Sequence, residues 1–431
     1  MTLMPFGFIK DVTAKNSRIV AGLDVGSTRV CVVVGEVCPP KKSGTNGDGI
    51  AGRENHRGLR LIGMGYAPSR GIKKGVVINI EQTVESIKEA VRMAEEQTGV
   101  DIRTVTIGVT GSHIGYIPSQ GVIAVKEKEI GRMDVEMVLD AARAVATPFD
   151  REVLHVIPTE FIVNGQGGIT DPTGMAGIRL EAKVQIITGS ASSIRNLVRC
   201  CEKAGLEALD VVFQPVAAAE AVLTRDEKDL GVALIDIGGG TTDIAFFHEG
   251  HMSHFSVLAV GGGNFTNDIA IGLRLPFQEA EQVKKGHGCT MLSMINSGEE
   301  MNIGCGEGKP ARNIPRTHLV EILQPRAEEL FGLIRDEITG RGFHNLLNAG
   351  VVLTGGAVLM QGMDVMAENI LALPVRAGTA SGIEGPPDII GNPSCAAVAG
   401  LALREAEACF AELDGNGFFH GIKSKMIGWF K

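Results

Sequence analysis

A glycine-rich stretch between two apolar runs most constrains this chain, and it occurs twice. In residues 232–247 an apolar run leads to Asp236, then to three glycines, two threonines and Asp243, and a second apolar run follows. This pattern predicts two strands joined by a hairpin whose tip carries few side chains. Backbone N–H groups at such a tip can approach an anion closely, and the threonines add hydroxyl donors. The residues concerned are Gly238, Gly239, Gly240, Thr241 and Thr242.

A glycine-rich hairpin that binds no ligand is an equally reasonable reading of one copy alone. The second copy, residues 19–34, favours the ligand-binding reading because it repeats the order of apolar run, aspartate, glycine, two hydroxyl residues and apolar run. Its polar residues are Asp24, Gly26, Ser27 and Thr28. Two such hairpins about half a chain apart predict two related lobes with a phosphate group between them. Asp24 and Asp236 are then placed to hold Mg²⁺ through water, since Mg²⁺ usually takes one or two carboxylates beside phosphate oxygens.

A third element is an apolar strand that ends in Thr354 and continues as Gly355, Gly356 and Ala357. Small residues at a strand end allow close approach of a flat ring or a sugar, so this segment is a candidate for contact with adenosine. In isolation it also fits an ordinary strand-to-helix turn.

The ordered set of segments resembles the actin/Hsp70/sugar-kinase ATPase fold, and most closely the bacterial cell-division family FtsA. The superfamily resemblance rests on Asp24–Thr28, Gln214–Glu220, Asp236–Asp243, Thr354–Ala357 and Ser394–Gly400. The narrower resemblance covers nearly the whole chain and also rests on Gly71–Gly75, Gly111–Ile114, Thr266–Ile269 and the last residues.

The resemblance implies an α/β fold of two actin-like lobes, with ATP and Mg²⁺ in the cleft between them. It also implies the function: a filament-forming protein on the cytoplasmic face of the cell membrane at the division septum. Its implied partners are the C-terminal peptide of the tubulin-like GTPase FtsZ, other copies of itself, later division proteins and an anionic membrane surface.

Further site residues come from the resemblance alone. It assigns Glu281, Lys284 and Lys285 to adenine and ribose, whereas their helical spacing by itself fits a solvated, ion-paired face. Gln214 stands where several relatives carry an acidic candidate for activating water. Glutamine can orient water but cannot take its proton, so we expect at most slow ATP hydrolysis, with nucleotide acting as an assembly switch.

The domain organisation that we predict combines apolar patterning with the resemblance. It places two helices and a few strands, residues 81–168, as a subdomain inserted into the first lobe. The remaining units are a tail at 1–16, a first lobe at 17–80, 169–229 and 388–411, a second lobe at 230–267 and 345–387, an outer subdomain at 268–344, a linker at 412–417 and a terminal helix at 418–431.

The terminal segment has the pattern of a helix lying in a membrane interface. One side carries large apolar residues and the other carries lysines, as is typical of interfacial helices. The apolar residues are Phe419, Ile422, Met426, Trp429 and Phe430, and the lysines are Lys423, Lys425 and Lys431. A last helix docked on the protein body is the alternative.

Composition excludes some classes of function. A net charge of −9 argues against a nucleic-acid partner. Eight cysteines without a Cys-x-x-Cys pair fit reduced thiols in a cytosolic protein. Three alternatives to FtsA remain open at this stage: a pilus-assembly protein of the PilM type, a sugar kinase and an Hsp70-like chaperone.

Overall fold

The computed structural model describes residues 18–38, 57–144, 148–296, 298–304 and 312–413. Its strands are β1 Arg18–Val25, β2 Arg29–Val37, β3 Leu59–Pro68, β4 Ile72–Lys73, β5 Val76–Val77, β6 Thr104–Val109, β7 Gly115–Ala124, β8 Arg151–Val163, β9 Gln166–Ile169, β10 Arg179–Ser190, β11 Glu207–Phe213, β12 Val232–Ile237, β13 Thr242–His248, β14 His251–Leu258, β15 Glu300–Ile303, β16 Arg312–Pro315, β17 Val351–Thr354 and β18 Val375–Ala377. Its helices are α1 Ile80–Thr98, α2 Arg132–Arg143, α3 Ala191–Lys203, α4 Gln214–Val222, α5 Arg225–Leu230, α6 Gly262–Leu273, α7 Phe277–His287, α8 Arg316–Gly340, α9 Met363–Leu371, α10 Pro387–Ile390 and α11 Ala396–Leu413.

Two five-stranded sheets share one topology. The first has the order β3-β2-β1-β6-β11 and the second has the order β14-β13-β12-β17-β18. In each, the central strand pairs antiparallel with the next strand along the chain and parallel with a later one. The two sheets are therefore duplicates, and each predicted glycine hairpin joins the central strand of its sheet to the antiparallel neighbour. The mixed α/β class that we predicted is confirmed.

Two helices rich in small residues, α4 and α11, pack against each other beside the first sheet. Their approach is close enough that a Cβ added at Gly400 would lie 1.8 Å from the Ala217 carbonyl oxygen. Gly22 on β1 makes a similar close contact, because a Cβ there would lie 2.5 Å from the Val398 carbonyl oxygen. Small side chains at these positions let α4 pack closely on α11, and α11 pack directly on the strand that leads to Asp24.

The inserted unit is a separate four-stranded sheet in the order β7-β10-β8-β9, and α2 packs on it. Our predicted boundary for this unit, 81–168, is wrong. Helix α1 packs on β3, and β6 lies inside the first sheet between β1 and β11. At the other end, β10 belongs to the inserted sheet although we placed its residues in the first lobe. Apolar stripes predict helices and strands well but do not say which sheet they join.

The second sheet and the outer elements share one apolar core. That core joins β12, β13 and β17 to α6, α7, α8 and the small β15-β16 ladder. Helix α8 is continuous for 25 residues with Pro325 inside it. Among the described residues, no helix is both long and apolar enough to cross a bilayer.

Candidate functional site

The two glycine hairpins have the same turn. The amide of Gly26 donates to the Arg29 carbonyl oxygen at 3.0 Å, and the amide of Gly238 donates to the Thr241 carbonyl oxygen at 3.0 Å. Each turn thus follows its aspartate by two residues and closes with one backbone hydrogen bond. The repeated sequence pattern corresponds to a repeated local structure.

The hairpin tips meet each other across the cleft between the lobes. A Cβ added at Gly239 would lie 2.4 Å from Thr28 Oγ1, and one added at Gly240 would lie 2.7 Å from Ser27 Oγ. Distances below 3.0 Å are ones that real Cβ atoms essentially never show. Glycine is required at these positions because the opposite hairpin occupies the space that a side chain would need.

Three carboxyl groups converge behind the hairpin tips. Asp24 and Asp236 sit on β1 and β12, and Asp243 lies directly opposite Asp236 in the β12-β13 ladder. Burial raises the pKa of Asp24 to about 6. Burial and the neighbouring charge of Asp24 raise the pKa of Asp236 to about 7. Burial, with smaller contributions from the other two carboxylates, raises the pKa of Asp243 to about 8.

The pKa shifts are moderated by neighbours that favour the ionised carboxylates. Arg29 opposes the effect of burial on Asp24 through its charge, and the Gln214 side-chain amide donates to Asp24 Oδ1. Thr110, at the end of β6, donates its hydroxyl to Asp243 Oδ1 at 2.5 Å. This last bond joins the two lobes, since Thr110 directly follows β6 of the first sheet and Asp243 lies in the second sheet.

These carboxyls suit a cation that also binds phosphate oxygens. The described residues contain no group of three or more His, Cys, Asp or Glu side chains arranged to hold a metal ion by themselves. Mg²⁺ does not need such a group, because it keeps several waters and takes one or two carboxylates together with phosphate. Raised pKa values are also what buried carboxyls show when no cation is beside them.

The other end of the cleft is lined by α6, α7 and the segment after β17. Lys284 Nζ bonds to Glu281 Oε2 at 2.7 Å, to Thr266 Oγ1 at 2.7 Å and to the Gly262 carbonyl oxygen at 2.9 Å. A Cβ added at Gly262 would lie 3.4 Å from Ala357 Cβ, so these elements meet at one place. Burial alone would raise the pKa of Glu281, but Lys284 and the bonded neighbours bring it below its usual value.

The segment after β17 is divided between the two ends of the cleft. Gly355 has φ +95°, and a Cβ on it would lie 2.5 Å from Asp236 Oδ1. Gly355 therefore lies beside the carboxyl cluster, while Ala357 lies beside Lys284. Gly356 is near Ser394, whose carbonyl oxygen accepts a 2.8 Å hydrogen bond from Arg29.

Two predicted donors differ from their neighbours in placement. Thr242 is buried and donates its hydroxyl to the Val260 carbonyl oxygen at 2.8 Å, so that hydroxyl proton is already used within the protein. Lys285 is 73% exposed and only 3.4 Å from Glu281 Oε1, in contrast to the tightly bonded Lys284. Sequence spacing alone does not distinguish these two residues from their neighbours Thr241 and Lys284.

Sequence reasoning missed two residues of this site. Asp236 precedes the glycine tip of the second hairpin and Asp243 follows it. Two strands joined by such a tip pair with each other, and that pairing places the two aspartates opposite each other. Arg29 directly follows Ser27 and Thr28 in the first hairpin. Its position in the sequence, five residues after Asp24, is a signal that its charge could act on that carboxyl. The predicted membrane residues, Phe419 to Phe430 and the lysines among them, lie outside the described residues.

The raised pKa of Asp243 predicts a pH-dependent stability. Between the unfolded value of 3.8 and the folded value of about 8, the folded chain holds a proton that the unfolded chain has released, so this contribution to stability falls as pH rises. Asp243→Asn keeps an acceptor for Thr110 and removes the titration. We expect the variant and the wild type to melt alike near pH 4 and the variant to melt several degrees higher at pH 9, without nucleotide and with EDTA.

Thermal melts of both chains at closely spaced pH values test this, and titrating groups remote from the Asp24, Asp236 and Asp243 cluster cancel because both chains contain them. A difference in melting temperature that stays constant from pH 4 to 9 would show that Asp243 is already ionised in the folded chain.

Comparison with known proteins identifies the family. A family model described as cell division protein FtsA matches residues 233–400, and a model described as the SHS2 domain inserted in FtsA matches residues 111–188. The cell division protein FtsA of Pseudomonas aeruginosa is 40% identical over 391 residues, covering 91% of this chain and 90% of that protein. The chain belongs to the FtsA family of cell division proteins.

Solved structures of other actin-like proteins share the fold of this FtsA-family chain. PilM in the PilM-PilN type IV pilus biogenesis complex has a TM-score of 0.62 at 16% identity, covering 90% of this chain and 98% of that one. MreB 5 of Spiroplasma citri, bound to AMPPNP, has a TM-score of 0.54 at 15% identity, covering 93% and 100%. The likeness to PilM is one of fold, and family membership decides for FtsA over the PilM-like alternative. The SHS2 match also agrees with the inserted sheet rather than with our boundary of 81–168.

Proposed function

We propose that this FtsA-family chain binds Mg²⁺-ATP in the cleft and uses it as an assembly switch, forming filaments on the membrane that tether the FtsZ ring. One observation carries the proposal: duplicated sheets bring two glycine hairpins tip to tip over a cluster of buried carboxyls. Nucleotide bound to the actin-like MreB 5 supports the same use of this fold.

The phosphates would lie against the hairpin tips. Gly26, Ser27 and Thr28 would contact them from the first lobe, and Gly238 to Thr241 from the second. Asp24 and Asp236 would hold Mg²⁺ through water, and the ion would offset phosphate charge when bound. Backbone amides at a tip without side chains suit anions because they carry fixed partial positive charge at no conformational cost.

Adenine and ribose would lie at the other end of the cleft, against Ala357, Gly356 and the α6-α7 pair. Lys284 and Glu281 hold each other and Thr266 in place, which gives that wall a fixed shape. We propose that this pair shapes the base and ribose pocket, and that Lys285 contributes from its rim.

Hydrolysis would be slow. Gln214 is buried and donates to Asp24, so its side chain is positioned by the carboxyl cluster. An amide so placed can orient a water but cannot accept its proton. Rapid multiple turnover of ATP by the unassembled chain would contradict this part of the proposal.

Reconstitution on lipid vesicles tests the function as a whole. The chain, ATP, Mg²⁺ and FtsZ are mixed with anionic vesicles and floated through a density gradient. We expect FtsZ to float only when the chain is present, and FtsZ without its C-terminal peptide to stay at the bottom. Equal flotation of both FtsZ forms, or flotation without the chain, would contradict the tethering proposal.

A further inference from the structure

A tight turn beside the two hairpins takes no part in the site described so far. Strands β4 and β5 pair with Ile72 opposite Val77 and Lys73 opposite Val76, so Lys74 and Gly75 form a two-residue hairpin turn. Both have positive φ, +49° for Lys74 and +78° for Gly75. This is the geometry of a type I′ turn, whose first position favours asparagine, aspartate or glycine.

Lysine at this position costs conformational free energy. A non-glycine residue in left-handed backbone conformation is strained and persists only where its surroundings fix it there, and such residues cluster at functional sites. The surroundings do fix this turn, since a Cβ on Gly75 would lie 2.2 Å from the Thr110 carbonyl oxygen. A Cβ on Gly111 would likewise lie 2.9 Å from the Lys74 carbonyl oxygen.

The same turn contacts both glycine hairpins. The amide of Gly75 donates to Ser27 Oγ at 3.2 Å, in the first lobe. From the second lobe, a Cβ on Gly240 would lie 3.4 Å from Lys74 Cα. The Lys74 backbone is therefore anchored where the two tips meet, and its flexible four-carbon stem begins at the phosphate end of the proposed cleft.

Lys74 is a cation at the hairpin tips whose side chain has no partner among the described residues. Its side chain is exposed and makes no hydrogen bond or ion pair with any residue that the structure describes. By contrast, Arg29 donates to the Ser394 carbonyl oxygen and Lys284 is bonded to Glu281. The cleft otherwise carries the carboxyls Asp24, Asp236 and Asp243, which repel phosphates whenever they are ionised.

We propose that the Lys74–Gly75 turn is a third phosphate-contacting element, in which Lys74 supplies a positive charge to the phosphate chain and closes the cleft over it. This rests on the proposed nucleotide site and adds a residue that both hairpins position. Its strained backbone is kept because the turn has to present a cation at the meeting point of the lobes.

Calorimetry of ATP and of adenosine with Lys74→Met, Lys74→Asn and Lys74→Arg tests the proposal, with Lys73→Met as the neighbouring control. Charge-assisted contacts to phosphate are strong, so we expect Lys74→Met and Lys74→Asn to bind ATP about tenfold more weakly than wild type. Lys74→Arg and Lys73→Met should stay within about twofold, and adenosine should bind alike throughout because it has no phosphate.

Lys74→Asn also separates a charge effect from damage to the fold. Asparagine suits a type I′ turn better than lysine, so this variant should melt at or above the wild-type temperature while losing ATP affinity. Wild-type ATP affinity in Lys74→Met and Lys74→Asn, or an equal loss for adenosine, would overturn the inference. Failure of the wild type to bind ATP would instead overturn the proposed function, and the inference with it.

Discussion

Gly239→Val is expected to abolish ATP binding by a folded chain. A Cβ at this position would lie 2.4 Å from both Thr28 Oγ1 and Thr28 Cγ2, so a branched side chain forces the two hairpin tips apart. The backbone amides of both tips then lose their common target, and we expect affinity to fall at least about a hundredfold, which is roughly 2.7 kcal/mol. Isothermal titration of ATP in the presence of Mg²⁺ measures the effect.

The matched control is Gly332→Val. Gly332 lies on helix α8, and a Cβ there meets nothing within 4 Å, so valine has room. This variant should bind ATP as wild type does, and both variants should unfold cooperatively in a thermal melt. Wild-type affinity in folded Gly239→Val would show that the hairpin tips do not hold the phosphates.

Trp429→Glu is expected to release the chain from anionic vesicles without changing its affinity for ATP. Full burial of one large apolar side chain contributes about 1.5–3 kcal/mol, whereas a lysine near an anionic surface contributes about 1 kcal/mol. The aromatic side of residues 418–431 should therefore outweigh any single lysine. A short helix binds reversibly alone and firmly only when assembled copies act together, so one substitution can remove most of the bound protein.

Flotation on anionic vesicles measures the release, with Phe149→Glu as control. Phe149 is fully exposed on the protein body, so this control makes the same aromatic-to-acid change outside the terminal segment. Trp429 is also the only tryptophan, and its emission should shift to the blue when vesicles are added. Emission typical of a buried indole without lipid, with undiminished flotation of Trp429→Glu, would mean that the helix docks on the body.

Local patterns in the sequence predicted local structure well. Val84, Ile87, Val91 and Ala94 recur at helical spacing, which predicts a helix here, and all four residues are buried on α1. A glycine just after such a stripe predicts the end of the helix, and Gly99 caps α1 with φ +71°. Asp24 and Asp236 were located from the order of residues in each hairpin, since strand, aspartate and glycine tip are adjacent in the chain.

The features that the sequence did not predict depend on contacts between elements that are far apart in the chain. Helix α1 packs on the first sheet at Gly65 of β3, where a Cβ would lie 2.1 Å from the Ala90 carbonyl oxygen. The apolar stripe of α1 predicts the buried side of the helix but not this contact. Thr242 and Thr241 look alike in sequence, but only the fold directs the Thr242 hydroxyl to Val260. The high pKa of Asp243 likewise needs the burial and charges that converge only after both lobes have formed.

Hydrogen exchange with and without Mg²⁺-ATP tests the central claim, that nucleotide lies between the duplicated hairpins. We predict that ATP slows amide hydrogen exchange in three segments from both lobes, residues 24–31, 236–243 and 354–357. In Gly239→Val, ATP should slow exchange in none of the three segments. The β15-β16 ladder lies outside the proposed site and should exchange at the same rate in every sample. Protection confined to one lobe, or protection that leaves both hairpins unchanged, would contradict the account.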